Sequence, residues 1–336
     1  MYFRKKKIYF IAEVGSNHSG KISNCFKAID SAKKAGADCI KFQLYDEDTI
    51  AHPKLKTLNY IKHNKFKYQR DRFKSLKLDF EKIKKIKKHC QKKKIDLCIT
   101  PFDHRLVRPL SKYINFFKVA SGDINYFPLL KEIKKTKKKC VISTGMSSYR
   151  NIDNALKILG KKNTSILHCI ASYPTNIEDC NLQNIKELKK KYKIPVGFSD
   201  HTSGIQASLN SIFFGATIIE KHFLPDNKTR NVADFELSIT PSETKKLIDT
   251  LFINSKMIGK KKESILQSEK YFSINLKRSL YYRSNLKKGT FLKFKDINFL
   301  RPFKKKGIEI EKYQSLIKKK LKKNVKENEL ICRHHF

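Results

Sequence analysis

Two histidines, two lysines and a set of hydroxyls stand at or near the ends of short apolar runs in this 336-residue chain. His201 and His222 close two such runs, Val196-Gly-Phe-Ser-Asp-His201 and Thr217-Ile-Ile-Glu-Lys-His222. Imidazoles at the ends of adjacent strands can share one divalent ion and leave positions open for water or substrate. Singly, each is better explained as a satisfied core or capping histidine. Lys41 and Lys118, with Thr100, Ser121, Ser143 and Ser199, supply cations and hydroxyls suited to a phosphate plus a carboxylate. A lone strand-end lysine would snorkel to solvent; two of them flanked by hydroxyls call for an anion. Glu13, Asp123 and Asp234 are carboxylates able to move protons or orient hydroxyls, or else to pair with surplus cations. Further polar groups punctuate the same runs: Gln43, Asp103, Thr144, Tyr173, Asp200, Glu220 and Lys221. His168 lies within its run and reads as a structural hydrogen bonder. Buried charges need partners or ligands, so a ring of them at eight run ends is hard to explain as packing.

The runs that must position these groups are Ile8–Ala12, Cys39–Phe42, Asp96–Thr100, Phe116–Ala120, Cys140–Ser143, Ser165–Cys169, Val196–Phe198 and Thr217–Ile219. Between them lie amphipathic, lysine-rich segments: Asn24–Ala35, Phe80–Lys93, Tyr126–Thr136, Asn151–Leu159, Leu182–Lys191 and Ile205–Phe214. Asp79 and Ser23 are placed to cap the helices they precede. Strand–helix alternation of this kind predicts an α/β chain, a (βα)8 TIM barrel with its site at the carboxyl ends of the strands. The expected division is a barrel over 1–262, a charged linker over 263–275 and a small, mostly β domain over 276–336. In that last part the expected strands are Ser279–Tyr282, Phe291–Phe294 and Ile308–Ile310.

Composition narrows the class. Lys+Arg 74 against Asp+Glu 31 gives a net charge of +43, which first suggests nucleic acid. The lysines are spread over nearly every helical segment, as in Lys82-Ile-Lys-Lys-Ile-Lys-Lys88, where apolar positions keep helical spacing. That pattern is a solvated surface and argues against a specific nucleic-acid partner. Eight cysteines are scattered with no Cys-x-x-Cys pair, which is reduced, intracellular usage. Lys5-Lys-Lys7 is followed by only a short apolar run before Glu13, so no signal peptide is read, and no stretch has transmembrane length. A cytoplasmic protein with no membrane partner is expected.

Several motifs occur in a set order: Ile11-Ala-Glu-Val-Gly-Ser-Asn-His-Ser-Gly20, Ile40-Lys-Phe-Gln43, Thr100-Pro-Phe102, Lys118-Val-Ala-Ser-Gly-Asp123 and Ser143-Thr-Gly-Met146. They continue with Leu167-His-Cys169, Tyr173-Pro174, Gly197-Phe-Ser-Asp-His-Thr202 and Glu220-Lys-His-Phe223. Together they resemble the sialic acid synthase family, which makes N-acetylneuraminate, legionaminate, pseudaminate and related nonulosonates. Arg278-Ser-Leu280, Lys287-Lys-Gly289 and Arg301-Pro302 resemble the family's C-terminal antifreeze-like (SAF) domain.

The resemblance implies condensation of phosphoenolpyruvate with an N-acyl amino-sugar aldehyde and release of phosphate. It makes His201 and His222 ligands of a divalent metal, typically Mn2+, with Mg2+ or Co2+ as alternatives. It gives Lys41, Thr100, Lys118, Ser121, Ser143 and Ser199 to phosphoenolpyruvate, and Glu13 to the water or the developing cation. It gives Gln43, Asp123, Tyr173 and Asp234 to the sugar, with Arg301 reaching the N-acyl group from a second subunit of a domain-swapped homodimer. The chain departs from the family at Ile170 and Ala171, at Asp123, at Val232-Ala233 and at Phe303 with its three following lysines. Two other readings stay open: a synthase of 3-deoxy sugar acid phosphates, and a polyanion binder with an inactive barrel.

Overall fold

A computed structural model describes residues 8–59, 61, 65–230, 232–259 and 263–336. The chain divides into two compact units at Gly259. The first is a closed barrel of eight parallel strands in sequence order. These are β1 (Tyr9–Glu13), β2 (Cys39–Leu44), β3 (Asp96–Pro101), β4 (Phe116–Val119), β5 (Cys140–Ser143), β6 (Thr164–Cys169), β7 (Val196–Asp200) and β8 (Ile218–His222). Strand β8 closes the ring on β1, with Tyr9 opposite Ile218 and Glu13 opposite His222.

Side chains of a strand alternate between its two faces, so each barrel strand sends every second residue inward. At the amino ends the inward residues form a small apolar plug of Tyr9, Ile11, Cys39, Cys98, Phe116, Val141, Leu167 and Ile218. Two residues further along, the inward position turns polar on seven of the strands: Glu13, Lys41, Thr100, Lys118, Ser143, Ser199 and Glu220 are all buried, and on β6 the position is Cys169. Gly197 belongs to the crowded layer. A Cβ there would collide with the Ile218 carbonyl and the Leu167 side chain.

The outward positions pack on helices α1 (Ile22–Ala35), α4 (Phe80–Lys93), α5 (His104–Leu110), α6 (Phe127–Lys135), α7 (Tyr149–Leu159), α8 (Gln183–Tyr192), α9 (Gln206–Ser211) and α10 (Pro241–Ile258). Burial follows the 3.6-residue period. In α4, Ile83, Ile86 and Cys90 are buried and most of the lysines are exposed. Asp79 caps α4 by accepting from the Lys82 amide at 2.7 Å, as its position predicts. Ser23 does not cap α1; the helix begins earlier, Lys21 holds the cap position, and Ser23 lies inside it. Between β2 and β3 the chain makes an excursion with two short helices, α2 (Glu47–Ile50) and α3 (Gln69–Leu76), that the sequence reading does not include.

The second unit holds α11 (Lys270–Asn275) and an antiparallel pair, β9 (Ser279–Tyr282) with β10 (Ile297–Leu300). Isolated bridges join Tyr281 to Leu330, Leu286 to Val325 and Phe291 to Lys320. They surround a core that includes Leu280, Tyr282, Leu292, Leu321 and Ile331. The expected linker is partly helical, because α11 falls within it. Two expected strands are replaced. Phe291 contributes one bridge before a 3-10 turn at Phe294–Asp296, and Ile310 opens a 3-10 turn reaching Leu316. The ordered strand is instead Ile297–Leu300, whose side chains pair across to β9.

Candidate active site

The polar inner layer opens into a cavity of about 250 Å³ at the carboxyl ends of the strands. Among its lining residues are Glu13, Lys41, Gln43, Thr100, Lys118, Ser121, Ser143, Tyr173, Ser199, His201, His222 and Asp234. Twelve positions singled out on sequence therefore converge on one space. Asp123 is not in the lining; it sits in the turn after β4 with Oδ2 buried and without a hydrogen-bond partner. Arg301 lies in the second unit, exposed just past β10.

At the floor Lys41 stands between two carboxylates, 3.3 Å from Glu13 Oε2 and 3.2 Å from Glu220 Oε1. Lys118 Nζ lies 3.6 Å from the same Glu220 oxygen and donates to Ser143 Oγ at 2.6 Å. Ser199 Oγ donates to Glu220 at 2.9 Å, and Gln43 donates to Glu13 Oε1 at 2.9 Å. The two carboxyls are driven apart. Burial disfavours ionisation of both, but the Lys118 and Lys41 cations overcome it at Glu220 and hold that group down to about 2. At Glu13 burial wins, aided by the neighbouring Glu220 charge, and its pKa is raised. Two carboxyls tuned in opposite directions are a pattern of acid–base sites. Both lysines share the Glu220 carboxylate as counter-charge, so the floor offers cations to an anion. Thr100 Oγ1 and Glu220 Oε2 are buried with no hydrogen-bond partner, as expected of groups whose partner is a ligand.

The two histidines adjoin this floor, their ring centroids 5.5 Å apart. His201 Nδ1 donates to the Ile170 carbonyl at 2.8 Å, which leaves Nε2 as its free lone pair in the neutral ring. The contact uses the backbone, so an apolar side chain at 170 leaves it intact. Burial, with His201 and Lys41 nearby, pushes His222 well below the usual histidine range and keeps it neutral. Its Nδ1 is buried without a hydrogen-bond partner, 3.7 Å from Asp234 Oδ2. Imidazoles, one oriented by a carbonyl and one with an orphaned nitrogen, fit a divalent cation. Tyr173 covers His201 with ring centroids 4.3 Å apart.

Strand parity removes several other polar positions from the site. Asp200 and Lys221 point outward, 3.2 Å apart and fully buried, and Asp200 also accepts from Ser208. His168 bonds the Cys180 carbonyl at 2.8 Å, the structural role assigned to it. Asp103 caps α5 and pairs with Arg105, and Thr144 donates to the Leu167 carbonyl. Three residues join the site that the sequence reading gave no role. Glu220 was legible by parity, two residues before His222. Arg72 and Ser16 were not: Arg72 reaches in from α3 and donates to Ser16 Oγ at 3.2 Å, which donates to Asp234 at 3.1 Å.

Comparison with known proteins gives the geometry a family. Residues 28–263 match the model of the NeuB family. An uncharacterized protein of Methanocaldococcus jannaschii is 39% identical over 96% of this chain and 93% of its own. The N,N'-diacetyllegionaminic acid synthase of Campylobacter jejuni is 34% identical over 97% of this chain and 99% of its own. The solved N-acetylneuraminic acid synthetase of Leptospira borgpetersenii, in complex with citrate, superposes with a TM-score of 0.71 at 33% identity. That match covers 80% of this chain and 90% of the other. The chain belongs to the NeuB, or sialic acid synthase, family and is a condensing enzyme of the transferase type.

Proposed function

We propose that the chain condenses phosphoenolpyruvate with an N-acyl amino-sugar aldehyde, either N-acetylmannosamine or a diacetamido-dideoxy hexose, to give a nonulosonate and inorganic phosphate. The observation that carries this reading is the floor itself. Lys41, Lys118, Thr100, Ser143 and Ser199 converge beside a raised Glu13, and two neutral-capable imidazoles adjoin them. Lys41 and Lys118 neutralise the phosphate and carboxylate, while the hydroxyls of Thr100, Ser121, Ser143 and Ser199 orient them. His201 and His222 would hold a divalent ion, Mn2+ or else Mg2+ or Co2+, which supplies Lewis-acid polarisation of the aldehyde oxygen. C3 of phosphoenolpyruvate then bonds to the aldehyde carbon, and positive charge develops at C2. Water adds at C2, Glu13 takes its proton, and the C2–O bond to phosphate breaks. Gln43, Tyr173 and Asp234 of the lining, with Asp123 in the turn after β4, would serve the sugar. The chain's contribution is to align two reactants beside fixed charges.

The same reading makes the second unit an antifreeze-like domain whose Arg301 serves the N-acyl group in the partner's site of a domain-swapped homodimer. It places the enzyme in the cytoplasm. All eight cysteines are free, as a reducing compartment keeps them, and among the described residues no helix is long and apolar enough to cross a membrane. The test is phosphate release from phosphoenolpyruvate with Mn2+ and a panel of amino-sugar aldehydes, with and without chelator. Chelator-sensitive release with one aldehyde supports the proposal and identifies the sugar. Silence across the panel from folded, metal-supplied protein would overturn it.

A further inference from the structure

The second unit carries a cluster of metal-ligating side chains that the condensation does not use. Cys332, His334 and His335 can each offer one donor atom so that the three lie within 4.8 Å of one another. Among the described residues they form the group of three or more histidine, cysteine or carboxylate donors that meets this spacing. The three have graded exposure: His335 is buried, Cys332 half-buried and His334 exposed. A fourth oxygen is at hand, since Glu329 Oε1 is 3.4 Å from His335 Nε2. We propose that Cys332, His334 and His335, with Glu329 or water completing the set, form a zinc site in the second unit.

The fold prepares the set. A 3-10 turn over Arg333–His335 brings the two histidines back over Cys332, with their ring centroids 4.4 Å apart. Tyr282, in β9, stacks on His335 and places its hydroxyl 3.0 Å from Nδ1. His335 Nδ1 accepts from the Cys332 amide at 3.4 Å as well as facing the Tyr282 hydroxyl, so Nε2 is the nitrogen on the Glu329 side. A second hydrogen bond of this kind is how ligating imidazoles are usually oriented. Lys323 occupies the open side, 3.3 Å from His334 Nε2 and 3.7 Å from Glu329. Its cation stands beside two of the donors in the empty site, where an ion would displace it. A thiolate with two imidazoles selects zinc.

Zinc is titrated into the full-length chain against a chromogenic chelator, for the wild type and for a His201→Ala, His222→Ala double variant. The expected result is one equivalent that survives in the double variant. It should be weakened more than about tenfold by Cys332→Ser and, separately, by His334→Ala. His334 is exposed, so that variant keeps the fold. Co2+ should give a thiolate charge-transfer band that Cys332→Ser removes. Zinc should also shield Cys332 from alkylation, which reads out cleanly because the other seven cysteines are buried. No zinc uptake in the double variant, or uptake unchanged by both ligand substitutions, would overturn the assignment. Neither outcome touches the condensation reading, which rests on the barrel.

Discussion

Glu220 Oε1 lies 3.2 Å from Lys41 Nζ and 3.6 Å from Lys118 Nζ, so one buried carboxylate serves as counter-charge to both cations of the floor. Breaking a buried pair by neutralising one member leaves uncompensated charge and costs roughly 3–5 kcal/mol. Glu220→Gln keeps the shape and a hydrogen bond to Ser199 but removes that charge. The variant is expected to melt well below the wild type, and inorganic phosphate should restore more stability to it than to the wild type. Equal stabilisation of both proteins by phosphate in a thermal-shift series would mean that the lysines are not the anion site.

His222 presents the opposite case. Its Nδ1 has no hydrogen-bond partner, so truncation removes no bond from the fold. His222→Ala is expected to stay folded, to lose metal-dependent turnover by at least about a thousandfold, roughly 4 kcal/mol of transition-state stabilisation, and to become insensitive to chelator. Retained, chelator-sensitive turnover would remove His222 from the metal assignment.

The sequence made the barrel legible because each strand is a short apolar run and each helix a lysine-faced amphipath. What it obscured was direction. Asp200 and Lys221 look like mouth residues in the linear chain, yet each differs by one position from the inward register and packs outward instead. Counting by two from Ile218 to Glu220 to His222 recovers the correct set. Arg72 had no such signal. It comes from α3, an eight-residue helix of low apolar content in an excursion, and only the three-dimensional path brings it to Ser16. In the second unit, pairing is spread over single bridges, so the runs at Phe291 and Ile308 carry too few strand contacts to register as strands.

Arg72 closes a chain of donors that ends on Asp234, beside His222. Arg72→Ala should therefore raise the KM for the aldehyde by about tenfold, the loss of one charge-assisted hydrogen bond. The KM for phosphoenolpyruvate should move far less. Equal shifts in the two constants would place Arg72 on the phosphate instead.

Asp123 supplies a pH signature. Burial raises its carboxyl from 3.8 to about 6, with Lys118 opposing only in part. A raised folded-state pKa means the folded chain holds the proton more tightly. The stability it contributes is complete below pH 3.8 and is lost as pH climbs through about 6. Two pH units correspond to about 3 kcal/mol. Asp123→Asn cannot titrate and keeps a neutral group in the same turn. The wild type should thus lose about 2.5 kcal/mol relative to the variant between pH 4 and pH 7, read from urea midpoints of both proteins across that range. Because every other titrating group is common to the two proteins, the difference isolates this carboxyl. A flat difference would show that Asp123 ionises freely in the folded chain, and the space beside it would then be open to water and to the polar face of a sugar.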